Sequence, residues 1–319
     1  DDQIDSLLNA GLLDATTDSP LYLGLTEEIP YLARQQRFTF ARAGIADPVC
    51  FDSYKAQGGY VGLTNALAMN GQAIVDEVKT SGLRGRGGAA FPTGIKWQTV
   101  HDAQPTDGET KYIVCNADEG DSGTFADRLA MEADPYQLIE GMTIAGLAVG
   151  AQQGYIYLRS EYPDAHRILN EAISNAEAAG YLGENISGSG RTFNLEVRLG
   201  AKAYICGEET SLLESLEGKR GMVRAKPPLP AIVGLFGQPT IVNNVLTLAA
   251  VPFILAQGAQ AYADVGFGRS RGTLAFQLAG NIKRGGLVEL AFGLSLKELL
   301  EHFGSGTYTG RPMRAVQVG

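Results

Sequence analysis

Cysteine, histidine and excess basic charge are all scarce in this sequence. The 319 residues include three cysteines and three histidines. Cys50, Cys115 and Cys206 are too few and too scattered for a disulfide framework, and none forms a Cys-x-x-Cys pair, so a reducing cytoplasm is the expected setting. His101, His166 and His302 form no spaced cluster, which leaves a zinc site or a Ser-His-Asp triad without support. Lysine and arginine number 26 against 35 acidic residues, a formal net charge of -9. The broad basic surface that a phosphate backbone requires is therefore missing, and no nucleic acid partner is expected. Long hydrophobic runs are lacking too. Those at 139–151 and 245–256 are broken by Glu140 and Pro252 and fall short of the ~20 residues a bilayer crossing needs, so no membrane span is expected.

What is present is a globular composition, 45% hydrophobic and 19% charged, with 41 glycines spread along the chain. Disorder, collagen and coiled coil do not fit it, and the length suggests more than one domain. The first residue is Asp1, and the opening stretch has neither a basic start nor an apolar signal core, which reads as a trimmed chain rather than an exported one.

Residues 1–60 mix short apolar clusters with Pro20, Pro30 and Pro48 and show no sustained period, as in an extended, partly helical arm. A helical pattern over 73–80 runs into Gly82, Gly85, Gly87, Gly88 and Gly94. Residues 111–115 read as a buried strand, and Asp134-Pro135 opens a helix ending near Gly150. A strand at 155–158, a helix at 163–179 stopped by Gly180, and a strand at 193–199 follow. This alternation predicts an α/β fold with a mainly parallel sheet, whose ligands bind at the carboxyl ends of the strands. After Phe267 come short strands at 273–279 and 287–290, a helix at 295–303 and a strand at 313–318. That is the start of a small α+β domain with too few strands to close, which predicts a longer polypeptide.

Four segments carry candidate chemistry. Gly82-Leu83-Arg84-Gly85-Arg86-Gly87-Gly88-Ala89-Ala90-Phe91-Pro92-Thr93-Gly94-Ile95-Lys96-Trp97 combines bare backbone with cations, as suits a phosphate, or is a glycine-rich surface turn. It satisfies a dinucleotide fingerprint only formally, because it follows a helical pattern rather than a strand, and it contains no Walker triplet. Cys115-Asn116-Ala117-Asp118-Glu119-Gly120-Asp121 lies where a strand meets its crest loop, and its acids either line a site or cap the next helix. Tyr204-Ile205-Cys206-Gly207-Glu208-Glu209-Thr210 reads as another strand end before a helix, whose acids complement the helix dipole or accept from ribose hydroxyls. Pro239-Thr240-Ile241-Val242-Asn243-Asn244-Val245-Leu246-Thr247 sets paired asparagines before an apolar helix, as a cap or as an anion site.

Taken together, these segments closely resemble the family of flavin-bearing, NADH-oxidising subunits shared by respiratory complex I, NAD-reducing hydrogenases and NAD-dependent molybdenum formate dehydrogenases, from about residue 54 to residue 319. The stretch Pro30-Tyr31-Leu32-Ala33-Arg34-Gln35-Gln36-Arg37-Phe38-Thr39-Phe40-Ala41-Arg42, with Ser160-Glu161-Tyr162-Pro163-Asp164-Ala165, looks most like the beta (diaphorase) subunit of formate dehydrogenase. The resemblance implies an N-terminal arm at 1–70, a Rossmann-like FMN/NADH domain at 71–264, and an incomplete β-grasp (ubiquitin-like) domain at 265–319. The family's helical [4Fe-4S] domain has no counterpart in this sequence.

By position, the resemblance implies that Gly85, Arg86, Gly87, Lys96, Asn116, Asp118, Glu119, Tyr204, Gly207, Glu208, Asn243, Asn244 and Thr247 contact FMN. For NADH it implies Phe91, Asp121, Glu209 and Lys226, with Glu209 favouring NAD over NADP and with Glu119 and Asp121 positioning rather than catalysing. Thr99 and Leu229 replace aromatics of the complex I form, and Asp121 replaces a glutamate. The implied partners are a small thioredoxin-like [2Fe-2S] gamma subunit and a large molybdenum-containing alpha subunit. Membership of a hydrogenase or of complex I is the alternative within the enzyme class, and a flavin-free scaffold is the alternative outside it.

Overall fold

The computed structural model describes residues 24–106 and 108–319, which fall into two units, Asp1–Gln36 and Arg37–Gly319. The described part of the first unit holds one helical turn, Pro30–Ala33, opened by Pro30, whose missing N–H is not needed at a helix start. Residues 1–23 of the expected arm lie outside the described residues.

Residues 37–70 do not behave as an arm. Phe40, Tyr54 and Tyr60 are buried in the same hydrophobic core as the sheet. They escape a periodicity test because the helices here, α1 (Phe51–Ala56) and α2 (Val61–Leu67), are too short to show one. The predicted helix is α3 (Gly71–Thr80), capped by Asn70, whose side chain accepts from the Ala73 amide. The glycine-rich loop follows and ends in α4 (Thr93–Asp102).

The alternating region is built from β1 (Tyr112–Ala117), α5 (Ala126–Ala133), α6 (Pro135–Val149), β2 (Gln153–Leu158), α7 (Pro163–Ala178), β3 (Asn194–Leu199) and α8 (Glu209–Leu216). It closes with β4 (Thr240–Asn244), α9 (Val245–Ala249), α10 (Val251–Gln257) and α11 (Ala259–Ala263). The strands form one parallel sheet in the order β3-β2-β1-β4, the expected α/β architecture. All fifteen residues of α6 are buried, as for a helix apolar nearly all round. Gly141 lets α9 approach it, since a Cβ there would overlap the Leu248 carbonyl.

Two local readings are corrected. The asparagine pair ends a strand, β4, rather than merely opening a helix; the strand is only five residues long and hides between Pro239 and a cap. Tyr204–Gly207 is a 3-10 turn, not a strand end, and it has no neighbour to pair with. In β1 the register puts Asn116 opposite Asn244 and Cys115 opposite Asn243, so sheet pairing itself assembles the asparagines at one edge.

Beyond α11, β5 (Gly266–Phe267) and β6 (Ser270–Arg271) form a small hairpin. β7 (Thr273–Leu278) and β8 (Gly286–Ala291) form a second, also antiparallel. A Ser295–Glu298 capping box then opens α12 (Leu296–Glu298), which continues as a wider turn, Leu299–Phe303. The strand expected at 313–318 does not form among the described residues: the segment pairs with none of their strands, and Val316 and Val318 are exposed. Among the described residues no helix is long and apolar enough to cross a membrane.

Candidate functional site

The segments after β1 and β4, the turn before α8 and the glycine-rich loop meet at the carboxyl edge of the sheet, where a parallel sheet binds ligands. They enclose a cavity of about 460 Å³ that takes in Gly85, Phe91, Lys96, Glu209, Lys226, Asn243 and Thr247. A second hollow of about 470 Å³ takes in Arg86, Asp118, Glu119, Asp121 and Tyr204. Gly87, Asn116, Gly207, Glu208 and Asn244 line both, so the two form one cleft. Every residue expected from the sequence to contact FMN or NADH borders it.

Their side chains divide into two groups. Several are committed to the protein itself. The Glu119 carboxylate accepts from the amides of Asp127 and Arg128, both at 3.1 Å, and from Tyr162 Oη at 3.0 Å, which makes it a cap for α5. The Arg86 guanidinium donates to Tyr262 Oη and to the Arg271 carbonyl, each at 2.8 Å. Asn116 Nδ2 donates to the Gly207 carbonyl at 2.8 Å, and Asn243 Oδ1 accepts from Trp97 Nε1 at 2.9 Å. Asn244 caps α9 through Leu246 N and donates to Asp127 Oδ2 at 2.7 Å.

The rest meet in the cleft, although Glu208 also caps α8 through the Thr210 and Ser211 amides and Lys96 Nζ also donates to the Val242 carbonyl at 2.8 Å. Lys96, Glu209, Lys226 and Glu208 form an alternating chain: Lys96 Nζ lies 3.5 Å from Glu209 Oε2, and Lys226 Nζ donates to Glu209 Oε1 at 2.8 Å and to Glu208 Oε1 at 2.9 Å. Burial would raise the Glu208 pKa, but hydrogen bonds from Thr210, Lys226 and Ser211 outweigh it and hold the value at about 2. Asp118 is the opposite case. Burial lifts its pKa from 3.8 to about 6, Arg159 pulling it down and Glu161 pushing it up, and its Oδ2 is buried without a hydrogen-bond partner. Asp121 Oδ1 accepts from Tyr204 Oη at 2.8 Å, and Phe91 and Tyr204 are exposed at the mouth.

Residues 78–253 match the Nuo51 FMN-binding domain family. The chain belongs to this family. Among its relatives, the NADP-reducing hydrogenase subunit HndC of Solidesulfovibrio fructosivorans is 48% identical over 90% of this chain and 58% of its own length. An NADH-quinone oxidoreductase subunit of Rhizobium meliloti is 49% identical over 86% of this chain and 65% of its own length. The chain thus spans about three fifths of the length of these relatives. An NAD+-reducing [NiFe]-hydrogenase structure in the H2-reduced state superposes with a TM-score of 0.68 at 38% identity, covering 76% of this chain and 40% of the other.

The cleft fits the FMN of this Nuo51 family on observations independent of the match. The amides of Gly87 and Gly88 have no acceptor among the described residues, which leaves bare donors for a phosphate. Glycine at 87 keeps the loop close to the asparagine pair, since a Cβ there would come within a tight 3.1 Å of Asn244 Cβ. Asp118 Oδ2 supplies an acceptor that no described residue uses.

Sequence reasoning missed Asp127, Tyr262 and Gln277. Asp127 is buried, and burial followed by the nearby Glu119 charge drives its pKa well up. In the sequence it is an ordinary acid in a helix's first turn, and only Asn244, far along the chain, marks it. Tyr262 and Gln277 carry no local signal, since their partners are equally remote.

Proposed function

We propose that this chain is the flavin-bearing part of a diaphorase subunit that exchanges hydride with NAD(H). The observation that carries the reading is the single cleft at the sheet edge, with bare amides at the glycine loop and an unpartnered carboxyl oxygen at Asp118. When bound there, FMN supplies the conversion between a hydride, exchanged at the nicotinamide, and single electrons passed to iron-sulfur clusters. The protein's part is to bind and orient. Gly85, Gly87 and Lys96 face the phosphate end, while Asn116, Asp118, Tyr204, Gly207, Asn243 and Asn244 surround the rest of the cofactor. Phe91 offers a half-exposed ring for the adenine, and Glu209 offers its carboxylate to the ribose hydroxyls.

Glu119 and Arg86 act in this reading by holding loops, since their side chains are occupied by protein partners. NAD is favoured over NADP because Glu209 would repel a 2′-phosphate, although one relative is named for NADP reduction. The wider assembly, with a small [2Fe-2S] subunit and a larger catalytic subunit in the cytoplasm, belongs to the same reading. That the larger subunit is a molybdenum formate dehydrogenase rests on the resemblance at 30–42 and 160–165. Metal analysis of the intact complex decides it, molybdenum supporting formate oxidation and nickel a hydrogenase.

The test is direct. The full-length subunit should take up FMN in a one-to-one ratio and then reduce ferricyanide with NADH. A protein that neither binds flavin nor shows that activity is the flavin-free scaffold instead.

A further inference from the structure

Two side chains tie the cleft to the β7–β8 hairpin, and neither has a part in the chemistry proposed above. The first is Arg86. Its main-chain amide donates inward, to Thr247 Oγ1 at 2.8 Å. Its guanidinium is anchored away from that threonine, to Tyr262 Oη, to the Arg271 carbonyl and to the Arg84 carbonyl at 2.9 Å, and it lies 5.0 Å over the Phe292 ring. Arg271 and Phe292 lie just outside the hairpin at its open end, where Thr273 pairs with Ala291. A guanidinium held by three oxygens and a ring face has little left to offer a phosphate.

The second is Gln277, on β7. Its Oε1 accepts from Phe125 N at 2.9 Å and Ala126 N at 3.1 Å, and its Nε2 donates to the Gly123 carbonyl at 2.9 Å. Helix α5 receives no side-chain cap from its own N-cap residue, so Gln277 satisfies its first amides from outside. The next residue, Asp127, grips Asn244 in the cleft. The hairpin thus holds the acidic loop through Gln277, and the segments that enter and leave it, at Arg271 and Phe292, hold the glycine-rich loop through Arg86.

We propose that Arg86 and Gln277 are positioning residues through which the β7–β8 hairpin sets the spacing of the two cofactor loops, so that flavin affinity depends on how the hairpin is seated. This rests on the reading of the cleft as the FMN site. A change that shifts the hairpin, including a partner docking on it, is then felt at the flavin without touching it.

The experiment measures FMN dissociation constants, by quenching of flavin fluorescence, and the induced visible circular dichroism of bound flavin, in the full-length subunit. Arg86→Ala and Tyr262→Phe should each weaken FMN binding by about tenfold and alter the dichroism, and the double variant should be little worse than Arg86→Ala, as for partners in one contact. Gln277→Ala should weaken binding severalfold. Gln277→Glu should recover only part of it, because the carboxylate keeps the acceptor that Phe125 and Ala126 need but loses the bond to the Gly123 carbonyl. If Arg86→Ala weakens binding while Tyr262→Phe does not, Arg86 is a direct ligand and the proposal falls. It falls equally if Gln277→Ala binds FMN like the wild type. A wild-type protein that takes up no FMN overturns the reading of the cleft itself, a failure distinct from either.

Discussion

Three buried acids, Glu140, Glu289 and Asp134, and two acids of the cleft, Asp118 and Glu209, are treated in opposite ways. Glu140, 1% exposed, accepts from Tyr54 Oη at 2.5 Å and from the amides of Tyr60 and Leu63, each at 2.8 Å. Glu289, equally buried, accepts from the amides of Thr39 and Phe40 and from the Thr273 hydroxyl. Asp134 is paired with Arg42 at 2.7 Å. In the cleft, by contrast, Asp118 keeps one oxygen without a partner, and Glu209 is held by the ends of two lysines that line the same cavity. A buried acid whose donors are all supplied by the fold pins main chain, whereas one left short of donors marks where a ligand completes the set.

The contrast breaks first, and by the largest amount, at Glu140. Glu140→Ala strands two buried amides and a tyrosine hydroxyl, which should cost about 3–5 kcal/mol of stability. Urea unfolding of the flavin-free chain measures this, and FMN affinity of the folded fraction should stay near wild type. A loss below about 1 kcal/mol would mean that the saturated acids are not the anchors they are taken for here.

In the cleft the largest effect is expected on nucleotide choice. Glu209→Gln should improve the kcat/KM for NADPH relative to NADH by about tenfold, or about 1.4 kcal/mol, because it removes the charge opposite a 2′-phosphate. An unchanged ratio would separate Glu209 from the ribose. It would also leave Lys96 and Lys226, which flank that carboxylate, as the groups that govern the choice.

How much of this was legible in the sequence follows from the range of each interaction. β1, β2, β3 and their helices were readable because apolar runs and Gly or Pro boundaries are local signals. The cleft residues were readable because each motif is contiguous and four motifs converge. Residues 37–70 were misread because their burial comes from single aromatics such as Tyr54 and Tyr60 gathered round Glu140, a residue remote in sequence. The protein partners of Arg86 and Glu119 were not legible for a related reason. An arginine in a glycine loop looks like an anion ligand until Tyr262 is seen beside it, and a glutamate in an acidic loop looks like a cofactor ligand until α5 is seen to use it as a cap.

A smaller effect is expected where the cleft lacks aromatics. Leu229 lines the cavity and is 53% exposed, so it presents apolar surface without a ring face. Leu229→Phe should strengthen nucleotide stacking by about 0.5–1.5 kcal/mol, seen as a severalfold lower KM for NADH with kcat little changed. If KM does not move, the adenine is not held at this wall.

The smallest effect is expected at Asp118, which is only half-buried and so partly screened. Its pKa is 3.8 in the unfolded chain and about 6 in the folded one. A carboxyl that holds its proton more tightly when folded contributes stability that is complete below the unfolded value and lost as pH rises through the folded one. Between pH 3.8 and about 6 the flavin-free chain should therefore lose this contribution, and Asp118→Asn, neutral throughout, should remove that component of the slope. FMN binding should act in the reverse sense. If a donor on the cofactor meets Asp118 Oδ2, it favours the ionised carboxylate, so FMN uptake releases a proton and affinity climbs with pH over the same window. Titrating FMN into wild type and Asp118→Asn between about pH 4 and pH 7 compares the two slopes. A wild-type slope no steeper than that of the variant would mean that Asp118 meets no donor from the ligand, and the unpartnered oxygen would then lose its standing as the mark of a binding site.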